Sequence, residues 1–213
     1  MGFVVATRPM ELNIVGVRSK STSPNSFDDT IHAFWKDDLG KWQHKAWPCT
    51  TDPGTYWLRS PMNPQGTAML KGNRQYQGVY GIGLHRGKYT ALVQMHRPVT
   101  VVRDYNRDDT LDFANGRETS GMFGINIHRA SANGTTIIVD RYSAGCQVFA
   151  NANDFDEFMA LAKQHKSRHG NSFTYTLLDH RAKNRRILRR SIYGLGGLAI
   201  ATGLTIALLN TND

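Results

Sequence analysis

The chain has 213 residues, is 40% hydrophobic and carries a formal net charge of +9, enough to bury one core but hardly two full domains. Its charge favours an anionic partner, whether nucleic acid, an acidic membrane face or a cell-wall polymer, without choosing among them. Two cysteines, Cys49 and Cys146, do not make a disulfide framework for a secreted protein of this size, and both are read as reduced thiols, with a bridge between them as the alternative.

Met1–Ala6 lacks the basic and long apolar stretches of a secretory signal, and position 6 is Ala rather than the Ser or Thr of a myristoylation site. The chain is therefore expected to begin life in the cytoplasm. Leu12–Val17, Thr30–Trp35 and Lys41–Trp47 read as strands, the last two joined as a hairpin through Lys36–Gly40. Residues 1–60 are expected to form an N-terminal β-hairpin region packed on the main domain. Trp35, Trp42, Trp47 and Trp57 fit strand packing, with a sugar- or peptide-binding face as the alternative. Turn-rich Asp52–Gly54 and Ser60–Gly66 then lead into the main domain, residues 61–180.

Val79–His85 and Tyr89–Met95 predict a second hairpin across Arg86-Gly87, and Val99–Val102 begins a further strand. Gly81 and Gly83 strip one face of side chains, as close approach of a backbone or substrate requires; a bulged, twisted strand is the alternative. In Asp104-x-Asn106-x-Asp108-Asp109-x-x-Asp112, the oxygen side chains of Asp104, Asn106, Asp108 and Asp112 are candidates for a structural Ca²⁺. The loop lacks the Gly and Glu of an EF-hand, and an acidic turn is the competing reading. A Zn²⁺ site from His85, His96, His128 and Cys146 finds no close ligand pair to support it.

The most informative stretch is Gly124-Ile-Asn-Ile-His128, a turn at Asn133-Gly134, the run Thr135–Asp140, and Ser143-Ala-Gly-Cys146-Gln147. A strand carrying His128, a hairpin, and Cys146 in a Gly-containing turn would bring a base to a thiol. Gly145 lets the backbone fold tightly enough for the N–H groups of Gly145 and Cys146 to face a developing oxyanion. Ser143 would tune the His or cap the turn. The plain alternative is a buried thiol acting as a small hydrophobe beside a structural His.

Asn153–His169 has the periodicity of a helix, with Phe155, Phe158, Met159 and Ala162 on one face and Gly170 as a stop. Ser172–Leu178 returns as a strand. The remainder, 181–213, pairs a basic run (Arg181, Lys183, Arg185, Arg186, Arg189, Arg190) with the uncharged stretch Ile192–Leu209, about 27 Å as helix. Gly197/Ala201 and Ala199/Gly203 suit helix packing in a membrane, including self-association. A transmembrane-type helix is expected, with a buried C-terminal helix as the alternative. The basic run would hold the folded part at the cytoplasmic face, near anionic lipid.

His128 followed by Ser143-Ala-Gly-Cys146 resembles the His…Ser-(His)-Gly-Cys signature of YkuD-like L,D-transpeptidases, and Gly124–His128 is similar to phage-encoded relatives of that superfamily. The resemblance spans roughly 78–178, with its specificity in Gly124–Gln147. It implies a mainly β, L,D-transpeptidase-like β-sandwich with one packed helix, Cys146 as nucleophile and His128 as general base. Such enzymes attack the peptidoglycan stem peptide at the carbonyl of its third residue, forming a thioester that an amine or water resolves, with no cofactor required.

Ala144 stands where the family usually has a second His, and Gln147 where many members have an apolar residue and then Arg. Arg129, Arg141, Gln147 and His85 are the candidates for substrate contacts. The expected function is thus a phage-encoded, endolysin-like transpeptidase or hydrolase of stem peptides. The competing readings are an inactive virion or membrane-associated protein that binds wall peptides, and, more weakly, nucleic-acid binding through the basic tail.

Overall fold

The computed structural model describes residues 2–113 and 116–181. Their elements run β1 (Asn13–Arg18), β2 (Asp29–Lys36), β3 (Trp42–Thr50), α1 (Thr55–Arg59), β4 (Thr67–Leu70), β5 (Arg74–His85), β6 (Tyr89–Gln94), β7 (Val99–Asp104), β8 (Arg117–Gly121), β9 (Ile127–Arg129), β10 (Gln147–Phe149), α2 (Ala152–His169) and β11 (Phe173–Asp179). The fold is mainly β with one long packed helix. Its large sheet closes on itself in the order β1-β11-β5-β6-β9-β10-β3-β2, and β4-β7-β8 form a separate three-stranded sheet.

A ring replaces the expected sandwich because β1 is paired on both edges, antiparallel to β2 and parallel to β11. The N-terminal strands are accordingly staves of the barrel itself. Side-chain alternation along β1 divides two apolar layers: Leu12 and Ile14 face the main core, while Val15 and Val17 join Phe34 and Leu178 in a smaller one. Arg18, fully buried at the end of β1, reaches Asp52 at 2.8 Å and Asp179 at 3.4 Å, tying β1 and β11 to the segment that precedes α1.

The helix α2 starts at Asn151, whose side chain accepts the N–H groups of Asn153 and Asp154, and stops at Gly170 with φ 88°. Its Phe155 and Phe158 pack on Phe149 of β10 at ring-centroid distances of 5.6 and 5.0 Å, and Phe158 also meets Trp47. Fully burying each such ring is worth about 2–3 kcal/mol, so the helix is fastened to the strand that follows Cys146.

Trp35 and Trp47 are core residues, whereas Trp57 lies in α1 and lines a cavity. The Arg86-Gly87 turn forms as expected, both residues having positive φ (51° and 70°), which suits a two-residue hairpin. The bare face at Gly81 is filled by Met95, His96 and the carbonyl of Asn171, each about 3 Å from where a Cβ would stand, and Met95 also covers Gly83. Among the described residues no helix is long and apolar enough to cross a membrane; Ile192–Leu209 and the basic residues from Lys183 to Arg190 lie outside them.

Candidate active site

The hairpin expected between His128 and Cys146 does not form. β9 and β10 lie parallel, with Ile127 opposite Gln147 and His128 opposite Val148, and the intervening residues make a crossover loop. Parallel neighbours cannot be joined by a two-residue turn, so the link must be long. Thr135 makes only an isolated bridge to Asn151, Ile137 and Ile138 are exposed, and Asp140–Tyr142 form a 3-10 turn.

That loop is fastened from outside. Gly54 N–H donates to the Ser143 carbonyl at 2.9 Å, the Trp57 indole donates to the Arg141 carbonyl at 3.1 Å, and the Asn25 side chain accepts the N–H of Asp140 at 2.6 Å. A Cβ at Gly54 would stand 2.0 Å from the Asp140 carbonyl oxygen, so only glycine permits this approach.

Inside the turn that holds Cys146, the Ser143 hydroxyl donates to the Cys146 carbonyl at 2.9 Å and accepts the Gly145 N–H at 3.2 Å. Ser143 is therefore the turn's internal brace and makes no hydrogen bond to His128. The Gly145 N–H is already used, which removes it from the expected oxyanion pair. The N–H of Cys146 makes no hydrogen bond to a described residue and is the donor that remains. Gly145 has φ +117°, and a Cβ there would stand 2.1 Å from the Ala68 carbonyl oxygen, so the turn needs glycine.

Cys146 is half-buried at a cavity of 260 Å³ that His85, Arg86, Asn126, His128, Arg141 and Ala144 also line. The Asn126 N–H donates to its sulfur at 3.4 Å, and the thiol points to the Gly124 carbonyl oxygen at 3.5 Å. Burial pushes the thiol up to about 11, against the opposing pull of the Asn126 N–H and the Arg86 charge. His128, 4% exposed, is pushed down to about 3 by burial and by His85 beside it. The resting pair is a neutral thiol and a neutral imidazole.

The imidazole tautomer is fixed by its neighbours. His128 Nδ1 lies 2.8 Å from the Arg129 carbonyl oxygen, which can only accept, so Nδ1 carries the hydrogen and Nε2 keeps a lone pair. The Tyr89 hydroxyl donates to the same carbonyl at 3.1 Å. His85 stacks on His128 with centroids 4.0 Å apart, and the Asn126 amide donates to His85 Nδ1 at 3.0 Å.

Two expected substrate contacts are turned elsewhere. Gln147 is fully buried behind the turn, where its side chain donates to the Gly145 carbonyl and accepts the Tyr175 hydroxyl at 2.8 Å; that hydroxyl occupies the space left by Gly16. Arg129 lies over the Tyr89 ring and 3.6 Å from Asp156 of α2, away from the cavity. Arg141 does line the cavity, its guanidinium stacked 4.0 Å from the Tyr56 ring centroid.

Sequence reasoning missed Asn126, Arg86 and Gln94. Gln94 accepts the N–H groups of Phe123 and Ile125 and donates to the Gly121 carbonyl, shaping the segment that runs into β9. The Asn between two apolar residues in Gly-Ile-Asn-Ile-His was the available signal.

The acidic loop is folded on itself. The Asn106 amide donates to Asp108 and Asp112, Asp104 accepts the Asp112 N–H at 3.0 Å, and burial raises the Asp104 carboxyl to about 6. Among the described residues no group of three His, Cys, Asp or Glu side chains is arranged to hold a metal ion. No family model, no curated protein and no solved structure matches this chain.

Proposed function

We propose that the protein is a cysteine-dependent acyltransferase or hydrolase of peptidoglycan stem peptides. The observation that carries the reading is the pairing, in one cavity, of the Cys146 thiol with a His128 whose Nδ1 is tied to a carbonyl and whose Nε2 is free to accept a proton. Sγ adds to the peptide carbonyl as its proton passes to Nε2, and the oxyanion meets the Cys146 N–H. Collapse breaks the C–N bond, the leaving amine takes the proton from Nε2, and a thioester remains. Water or a second amine then attacks the thioester, and His128 serves again as base.

The peptidoglycan substrate rests on the sequence resemblance, and the acyl-transfer chemistry on the geometry. Incubating purified muropeptides with the protein and following them by mass spectrometry should reveal cleaved or cross-linked stems, and Cys146→Ala should abolish the change. Full turnover by Cys146→Ala would overturn the reading. The high position of the thiol favours one alternative, a wall-binding protein that retains the cavity without turnover; it predicts muropeptide binding with no covalent adduct on Cys146.

A further inference from the structure

A second cavity, of 230 Å³, adjoins the first. Met62, Phe123, Ile125 and Ala144 line both, so only Ala144 and its apolar neighbours separate them. The second cavity is apolar over most of its wall, with Trp57 at one side, and Arg103 supplies its single charge.

Arg103 is 6% exposed and makes no salt bridge among the described residues. Its Nη1 donates to the Gly66 carbonyl at 3.1 Å, and the Phe123 ring lies 4.9 Å from the guanidinium carbon. Its Nε is buried without a partner, and Nη2 makes no hydrogen bond to a described residue. A buried cation with no counter-charge is costly to maintain. Nε is sealed from solvent, so Nη2, unpartnered and not sealed, is the donor that a carboxylate oxygen can reach.

We infer that Arg103 is an anion receptor: it holds, through the Nη2 end of its guanidinium, a carboxylate of the ligand whose carbonyl meets Cys146 across Ala144. The link to a reacting carbonyl rests on the function proposed above, whereas the receptor itself does not. One cation in a small apolar cavity suits a single-charged carboxylate better than a phosphate dianion, whose second charge would stay uncompensated. The class of substrate is thus an acyl compound with a free carboxylate a short span from the scissile carbonyl.

Two measurements on the full chain test this. In Cys146→Ala, the Arg103 Nε–H resonance, identified by its loss in Arg103→Lys, should shift saturably with N-acetylglycine and stay still with N-acetylglycinamide. In the wild type, Cys146 should be alkylated about tenfold faster or more by bromoacetyl derivatives of glycine, β-alanine or γ-aminobutyrate than by the matching amides, for at least one spacer length. Arg103→Gln should bring that ratio to near one while leaving the amide rate within twofold.

An Arg103 signal that ignores the acid, or an acid preference that survives Arg103→Gln, overturns the proposal. If Arg103→Gln fails to fold, the titration in Cys146→Ala decides alone. Because that titration needs no thiol, a responsive Arg103 in a protein without muropeptide turnover would retain the receptor and discard the proposed reaction.

Discussion

At Cys146 two influences oppose each other: the Asn126 N–H and Arg86 favour the thiolate, and burial disfavours it more strongly. With the thiol pushed up to about 11, the thiolate fraction climbs about tenfold per pH unit across the neutral range. His128, pushed down to about 3, gains charge only in acid, so no imidazolium props up the thiolate near neutrality. Alkylation of Cys146 by iodoacetamide should therefore keep rising with pH up to about 11, read by mass spectrometry of the Cys146 peptide. A plateau below pH 7 would reveal an ion pair instead. Ser143→Ala should cost about 1–3 kcal/mol in urea unfolding, since it strips both hydrogen bonds that brace the turn. That Cys146 and His128 come together in one cavity was legible, because a thiol, an imidazole and a Gly-containing turn rarely lie so close in sequence. Arg103 was not, because it sits among buried neighbours in β7 and only the fold reveals that no acid among the described residues pairs with it.

Among the elements, β1, β2, β3, β5, β6, β7, β11 and α2 could be read from alternation, helical periodicity and stop residues. β4 and β8 could not: one is a four-residue buried run, and the other is the polar Arg117–Gly121. The misread hairpin has a specific cause. Thr135–Val139 has the composition of a strand, yet Ile137 is 83% exposed, so β-propensity there reflects no pairing. β9 and β10, at three residues each, are too short to display a period, and parallel pairing leaves no turn signature. The buried link Gly16–Tyr175–Gln147 joins β1 and β11 to the turn that holds Cys146. A Cβ on Gly16 would stand 1.8 Å from the Tyr175 hydroxyl oxygen, so Gly16→Ala should destabilise the protein by about 1–3 kcal/mol. It should also change the alkylation rate of Cys146, while Gly2→Ala, whose added Cβ meets nothing within 4 Å and whose φ is not in the left-handed region, should leave that rate within twofold.

For the whole molecule, the described residues make a closed β ring with a second small sheet, and the two cavities flank Ala144. We propose the basic run and Ile192–Leu209 as the means of membrane attachment. Full-length protein should float with vesicles containing anionic lipid, each Lys or Arg near the surface adding about 1 kcal/mol, while a chain ending at Arg181 should remain behind. Equal flotation of both would remove the tail from that role. The parallel pairing of β1 with β11 also sets a timetable. The first stave of the ring is locked by the last, and Tyr175, carried by β11, is the residue that grips the back of the thiol turn. A ribosome must deliver nearly all of the described chain before that grip can form, so a nascent or prematurely terminated chain carries Cys146 in an unfinished turn. The setting of the thiol is completed as a late event of folding, after the polypeptide is almost complete.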